Sequence, residues 1–140
     1  MKKALGIDLG DVRVGLAMSD DLGMLAHPLE TLRTDEKPGV IERIAKIVER
    51  HKVEIIILGM PRNMNGTYGP AAEKAKEFSE KLKAKVPCEI KFWDERLTSV
   101  AAQKALHEGG RNAKQSRAVI DQVAAQMILQ GYLDSVAGAF

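Results

Sequence analysis

Period-two alternation dominates the first third of the chain, and longer apolar stripes take over afterwards. Leu5–Leu9 is mostly apolar and ends at Asp8-Leu9-Gly10-Asp11, a turn signal. Val12, Val14, Leu16 and Met18 then alternate with Arg13, Gly15 and Ala17, which predicts a strand over 12–18 and a hairpin with the first. After the Asp20-Asp21-Leu22-Gly23 turn, Ala26–Leu32 reads as a third strand, and Pro28 suits it to a sheet edge. Pro38–His51 reads as a helix with Pro38 near its first turn and one stripe of Val40, Ile44, Ile47, Val48 and His51. Val53–Leu58 is continuously apolar and β-branched, the mark of a strand covered on both faces. Residues 59–69 read as a loop. A second helix is expected over Pro70–Lys85, with Ala71, Ala75, Phe78 and Leu82 on one side. Glu89–Trp93 follows as a strand. Thr98 or Ser99 can cap a third helix to His107, stopped by Gly109-Gly110, and Ser116–Val136 forms the last helix.

Three strands in a meander, followed by strands linked through helices, give an α/β fold. Its sheet is five-stranded and mixed, with three antiparallel and two parallel strands, and helices on its faces. Sites in such sheets gather at the carboxyl ends of the strands. No repeat, low-complexity segment or Gly/Ser-rich linker divides the 140 residues, so one domain over 1–140 is expected.

Composition changes this picture little. A formal net charge of +2, from 21 basic and 19 acidic side chains, neither requires nor excludes a nucleic-acid partner. The single cysteine, Cys88, lies in an apolar stretch and reads as a small hydrophobe, which agrees with a reducing compartment. The amino-terminal residues lack the apolar core of a signal peptide, and Ile55–Met60 is too short to span a bilayer. A cytoplasmic protein with no membrane partner is expected.

Three acids stand where acids are costly. Asp8 ends a buried-looking strand between Gly6 and Gly10; its ordinary reading is a turn aspartate bonding its own backbone. Asp94 and Glu95 end another strand and point to opposite faces, so only one of them joins a given site. Asp121 shares its helix face with Ala124, Ala125, Ile128 and Tyr132; its ordinary reading is an ion pair with Arg117, one turn earlier. Converging carboxylates repel each other and need a cation. Oxygen donors suit Mg²⁺ or Mn²⁺. His27, His51 and His107 are scattered and Cys88 is alone, which argues against zinc. Two polar loops carry cations and amides suited to phosphodiester contact. One spans 61–69 and includes Arg62, Asn65 and Gly66, and the other spans 109–117 and includes Arg111, Lys114 and Arg117.

The motifs together resemble a known family. Gly6-Ile7-Asp8-Leu9-Gly10, with Arg13-Val14-Gly15-Leu16-Ala17 and Ser19-Asp20, resembles the opening motif of the YqgF (RuvX) family of Holliday junction resolvase-like proteins. These are also described as pre-16S ribosomal RNA nucleases. Gly59-Met60-Pro61 with Gly66-Thr67-Tyr68-Gly69, then Asp94-Glu95-Arg96-Leu97-Thr98-Ser99, resemble its central loop and acidic motif. Ile120-Asp121 through Leu133 resembles its closing helix. The likeness covers nearly the whole chain in order. It implies a ribonuclease H-like fold and a hydrolytic nuclease holding Mg²⁺ or Mn²⁺ on Asp8, Glu95 and Asp121. It also implies nucleic-acid contacts from Arg13, Asn65, Gly66, Lys114 and Arg117. One departure is Asp11, an acid where the family pattern leads one to expect a threonine or lysine.

The implied substrate is structured nucleic acid: the 5′ end of pre-16S ribosomal RNA during ribosome biogenesis or, as the alternative, branched DNA. A non-catalytic nucleic-acid-binding or ribosome-assembly factor stays open. So does a phosphotransferase, because Asp8-Leu9-Gly10 resembles the phosphate loop of sugar kinases; those need two such domains. A monomer or weak homodimer is expected.

Overall fold

The first three strands pair with their neighbours in sequence. β1 (Ala4–Leu9), β2 (Arg13–Ser19) and β3 (Ala26–Arg33) form an antiparallel meander. After α1 (Val40–His51), β4 (Ile55–Met60) returns parallel to β1; after α2 (Pro70–Lys83), β5 (Glu89–Asp94) lies parallel to β4. α3 (Ala113–Ala137) closes the chain. The computed structural model describes residues 2–60, 69–95 and 113–137, the stretch 113–120 by its backbone alone. The sheet order is β3-β2-β1-β4-β5, the mixed sheet expected from the pattern.

Alternation along the strands sorts two unlike cores. Leu5, Ile7, Val14, Leu16, Ile56 and Leu58 pack against Val40, Ile44 and Val48 of α1 and Ala72, Ala75 and Leu82 of α2. The other face is built from smaller residues, Ala4, Ala17 and Ala26 with Ile55 and Ile57, and receives Ala124, Ala125, Ile128, Leu129 and Leu133 of α3. α3 therefore lies close to the sheet. A Cβ on Gly6 would stand 2.7 Å from Leu129 Cβ and 2.9 Å from the Ala125 carbonyl oxygen.

A ladder of glutamines fastens α3 along the edge strand. Gln122, Gln126 and Gln130 are four residues apart and so share one side of the helix. Gln122 Nε2 donates to Thr31 Oγ1 at 3.2 Å, and Gln126 Nε2 donates to the Ala26 carbonyl at 2.9 Å. Gln130 accepts the Ala26 N–H at 2.9 Å and donates to the Met24 carbonyl at 2.9 Å. Pro28 sits within β3, at the sheet edge as expected.

Several boundaries and packing assignments differ from the sequence reading. Pro38 lies outside α1, because Gly39 takes the extended N-cap position and Val40 is the first helical residue. His51, the last residue of α1, is exposed beyond the packed turns. β4 continues past Leu58 through Gly59 and Met60, which pair with Trp93 and Asp94, so these two residues belong to the sheet and not to a loop. α3 starts at Ala113, and the stretch holding Lys114 and Arg117 is helix rather than loop. In α2 the buried alanines are Ala72 and Ala75, with Ala71 exposed. The helix expected after Thr98 and the polar segment 61–68 lie outside the described residues. Among the described residues, no helix is long and apolar enough to cross a membrane.

The glutamine ladder gives the first expected outcome. Gln126→Ala and Gln130→Ala should each cost about 1–2 kcal/mol, because each strips a partner from a half-buried backbone group. The measurement is the urea midpoint at unchanged slope. Wild-type midpoints in both variants would show that the ladder carries no weight.

Candidate active site

One transverse row across the sheet collects the acids. Asp8 on β1 pairs directly with Gly15 on β2, and Gly15 pairs with Thr31 on β3. One step beyond the last parallel pair, Ile7 with Leu58, Asp8 comes level with Gly59, which in turn pairs with Trp93 on β5. Paired residues share a face. Asp8 lies two residues after Gly6, which abuts α3, so the whole row faces that helix.

Glycine on either side of Asp8 admits the other two acids. A Cβ on Gly15 would fall 2.0 Å from the Asp121 carbonyl oxygen and 3.0 Å from Asp121 Cβ. The main chain of Asp121 thus occupies the space a side chain at residue 15 would need. A Cβ on Gly59 would fall 2.6 Å from Ile128 Cδ1 and 2.9 Å from Glu95 Oε1. Parity decides which member of the acidic pair comes here. Trp93 packs on the α3 side, Asp94 belongs to the opposite face with its partner Met60, and Glu95 returns to the row. Of the two, Glu95 is the one that lies over this row. Asp8 is only 2% exposed, and it sits inside β1, with the turn lying beyond it over 10–12.

Asp121 has a charged partner from the sheet. Arg13 Nε donates to Asp121 Oδ2 at 3.1 Å, with side chains 23% and 18% exposed. Arg13 precedes Gly15 by two residues and so shares its face. Lys114 and Arg117 occupy the first turns of α3, upstream of Asp121 on the same helix. Arg62, Asn65 and Gly66 lie outside the described residues. Asp11 is answered by Lys74 Nζ at 2.8 Å, so its charge is paired across an exposed rim and Lys74 is held above its usual pKa. That rim borders a cavity of about 450 Å³ on the opposite sheet face, floored by Val14, Val40 and Phe78. Cys88 is half-buried against the α1–α2 core, and burial pushes its thiol up, as suits an unreactive packing residue.

Trp93 closes the β5 end of the row. Its ring meets Tyr132 edge-on at 6.3 Å, and Lys91 Nζ lies 5.7 Å from the Tyr132 ring centre. Sequence reasoning found the three acids and missed what seats them. Gly15 carried a signal, since it interrupts an otherwise bulky alternation. Gly59 carried one only if β4 is extended to Met60.

Residues 2–135 match the profile of the RuvX family, described as Holliday junction resolvase. The chain belongs to the RuvX family. A Clostridium botulinum protein named "Putative pre-16S rRNA nuclease" is 45% identical over 134 residues, covering 96% of this chain and 98% of its own. A protein of the same name from Desulforamulus reducens is 47% identical over 133 residues, covering 95% and 97%. Among solved structures, Thermus thermophilus RuvC in complex with a Holliday junction superposes with a TM-score of 0.56 at 16% identity, over 99% of this chain and 97% of its own. The fowlpox virus Holliday junction resolvase gives 0.54 at 12% identity, over 95% and 99%. At such identities the likeness is one of fold, and it is the ribonuclease H-like fold that the RuvX motifs imply.

The donor chemistry suits a hard divalent cation: three carboxylates on one face, one of them almost fully buried. The side chains are not drawn to a common point, however. Among the described residues, no three His, Cys, Asp or Glu side chains stand grouped closely enough to hold an ion. Asp121 is turned to Arg13.

The row has no room for a methyl group at residue 15. Gly15→Ala should push α3 off the sheet and cost at least about 1–3 kcal/mol, the usual range for overpacking, since backbone and not a side-chain tip is in the way. Gly39, whose Cβ would meet nothing within 4 Å, provides the control, expected to lose less than about 1 kcal/mol as an N-cap change. Thermal unfolding of both variants checks this. Equal midpoints would mean that α3 does not lie where residue 15 needs it absent.

Proposed function

We propose that this RuvX protein is a divalent-metal-dependent nuclease that hydrolyses phosphodiester bonds in structured RNA, with the 5′ end of pre-16S ribosomal RNA as substrate. The observation that carries the reading is the row in which Asp8 and Glu95 lie on the sheet face covered by the helix that carries Asp121, within a chain that matches RuvX over residues 2–135. RNA is preferred over branched DNA because the relatives at 45–47% identity are named for ribosomal RNA, whereas the junction-bound neighbours are similar at the level of fold alone.

Asp8 and Asp121 would hold one or two Mg²⁺ or Mn²⁺ ions, with Glu95 completing the shell or orienting water. The ion supplies a hydroxide-like nucleophile at neutral pH and a positive charge for the leaving oxygen. The chain's own residues do the rest. Asp8, fixed in a strand and shielded from solvent, gives the site a rigid anchor. Glu95 follows β5 on a longer side chain and reaches over Gly59. Arg13, Arg62, Asn65, Gly66, Lys114 and Arg117 bind backbone phosphates and position the strand without reading its sequence. The protein acts in the cytoplasm as a monomer or weak homodimer.

A cleavage panel of precursor RNA, single strand, duplex and four-way junction, each with Mg²⁺ or Mn²⁺, tests the reading. The wild type is expected to cut precursor RNA. Asp8→Asn should fold normally and lose more than about a hundredfold in rate, since even outer-shell changes at metal sites cost 10–100-fold. Undiminished cleavage by Asp8→Asn would discard the assignment. Tight RNA binding without cleavage by the wild type would favour a non-catalytic assembly factor.

A further inference from the structure

We propose that Arg13 is an electrostatic latch on Asp121. It holds that carboxylate while the site lacks a cation, and it releases it when a divalent ion binds, turning its guanidinium toward the nucleic-acid phosphate. The inference rests on the nuclease reading above and adds to it a specific exchange of partners.

Three observations lead here. Arg13 Nε and Asp121 Oδ2 are 3.1 Å apart, with both side chains mostly shielded from solvent, so screening between them is weak. The backbones carrying the three acids converge on one row, yet among the described residues no three such side chains are grouped to hold an ion. Assembling the site therefore requires a side chain to move, and a cation, Arg13, is among the groups that hold Asp121. Lastly, Arg13 stands at the start of β2, directly after the β1–β2 turn, at the rim where the strand ends open.

The exchange follows from charge and donor type. A dication and a guanidinium on one carboxylate repel each other, and the dication, with twice the charge and a preference for hard oxygen, takes the oxygens. The displaced guanidinium is always protonated and costly to leave unpaired in a shielded site. A phosphate diester offers it two non-bridging oxygens that its fork can engage together. Arg13 thus trades one anion for another. Metal and phosphate each remove an obstacle to the other, so their binding is coupled reciprocally.

The test reads metal affinity in the absence of substrate. Free Mn²⁺ is measured by electron paramagnetic resonance against wild type, Arg13→Gln, Arg13→Lys and Asp8→Asn. Arg13→Gln should bind Mn²⁺ about tenfold more tightly than wild type, within the usual range of coupling between two sites, and Arg13→Lys should stay near wild type because the charge remains. A residue that only supports the fold would leave affinity unchanged or lower it. A second readout uses the wild type alone, so it stands even if Arg13→Gln does not fold. The Arg13 Nε–Hε nuclear magnetic resonance signal, assigned by its loss in Arg13→Lys, should shift when Mg²⁺ saturates the protein. Mn²⁺ binding by wild type that Arg13→Gln does not improve, or an Nε–Hε signal indifferent to Mg²⁺, overturns the latch and leaves the nuclease reading standing. Absence of Mn²⁺ binding by both wild type and Arg13→Gln, or unaltered binding by Asp8→Asn, overturns the metal assignment and the latch with it.

Discussion

The main chain of Asp121 lies where a side chain on residue 15 would have to stand. Everything distinctive about this fold follows from that intrusion. A helix normally rests on a sheet through a layer of side chains, and here the layer is thinned to glycine and alanine. Gly6 admits Leu129 and the Ala125 carbonyl, and Gly15 admits Asp121 itself. The helix gains contact with the strands along its length, and the backbone of Asp121 arrives at Gly15, the residue that pairs with Asp8. A close-packed interior does not yield by fractions of an ångström without cost, so the approach distance is fixed by the missing atoms as firmly as by those present.

The sheet's two faces divide the labour. Bulky β-branched and leucine side chains lie on the α1–α2 side, where the transfer of large apolar surfaces from water supplies most of the stability. Small residues lie on the α3 side and leave room for polar chemistry at the strand ends. Strand parity enforces the division: Leu5, Ile7 and Leu9 face one way, Ala4, Gly6 and Asp8 the other. The same parity settles the acid on β5. Asp94 shares a face with Met60, and Glu95 comes back toward Gly59 with one more methylene of reach.

Much of this was legible from residue pattern. Strand alternation gave the meander, the buried β-branched run gave the central parallel strand, and Asp8, the Asp94-Glu95 pair and Asp121 stood out as acids where burial penalises charge, with the family resemblance alone choosing Glu95. What remained hidden depends on contacts between distant segments. Arg13, 108 residues away in sequence, donates to Asp121, a partner that helical spacing cannot reveal; the Arg117 side chain lies outside what is described. Helical spacing puts the glutamines of α3 on one side, but only the placement of β3 beside them makes them partners of its backbone. Gly59 and Met60 read as loop because glycine and the following proline are turn signals; parallel pairing to β5 overrides that local preference. The segment 61–68, which holds Arg62, Asn65 and Gly66, lies outside the described residues.

Carboxylates brought to one face must be tolerated by the fold whether or not a cation is bound. Bare, the cluster opposes its own packing, since like charges in a shielded site destabilise the state that assembles them. A counter-charge from within the chain removes that conflict, and its strength has limits on both sides. Too weak, and α3 would lift from the sheet; too strong, and no ion could displace it. The Arg13 guanidinium, at a half-shielded position, suits those limits: it would set one charge against the two of a magnesium ion, and it approaches from the rim and not from the core. Placing it on the strand next to Gly15 also ties the counter-charge to the gap that admits the helix. The residue that neutralises Asp121 and the residue that makes room for it are two positions apart on one strand and cannot drift independently.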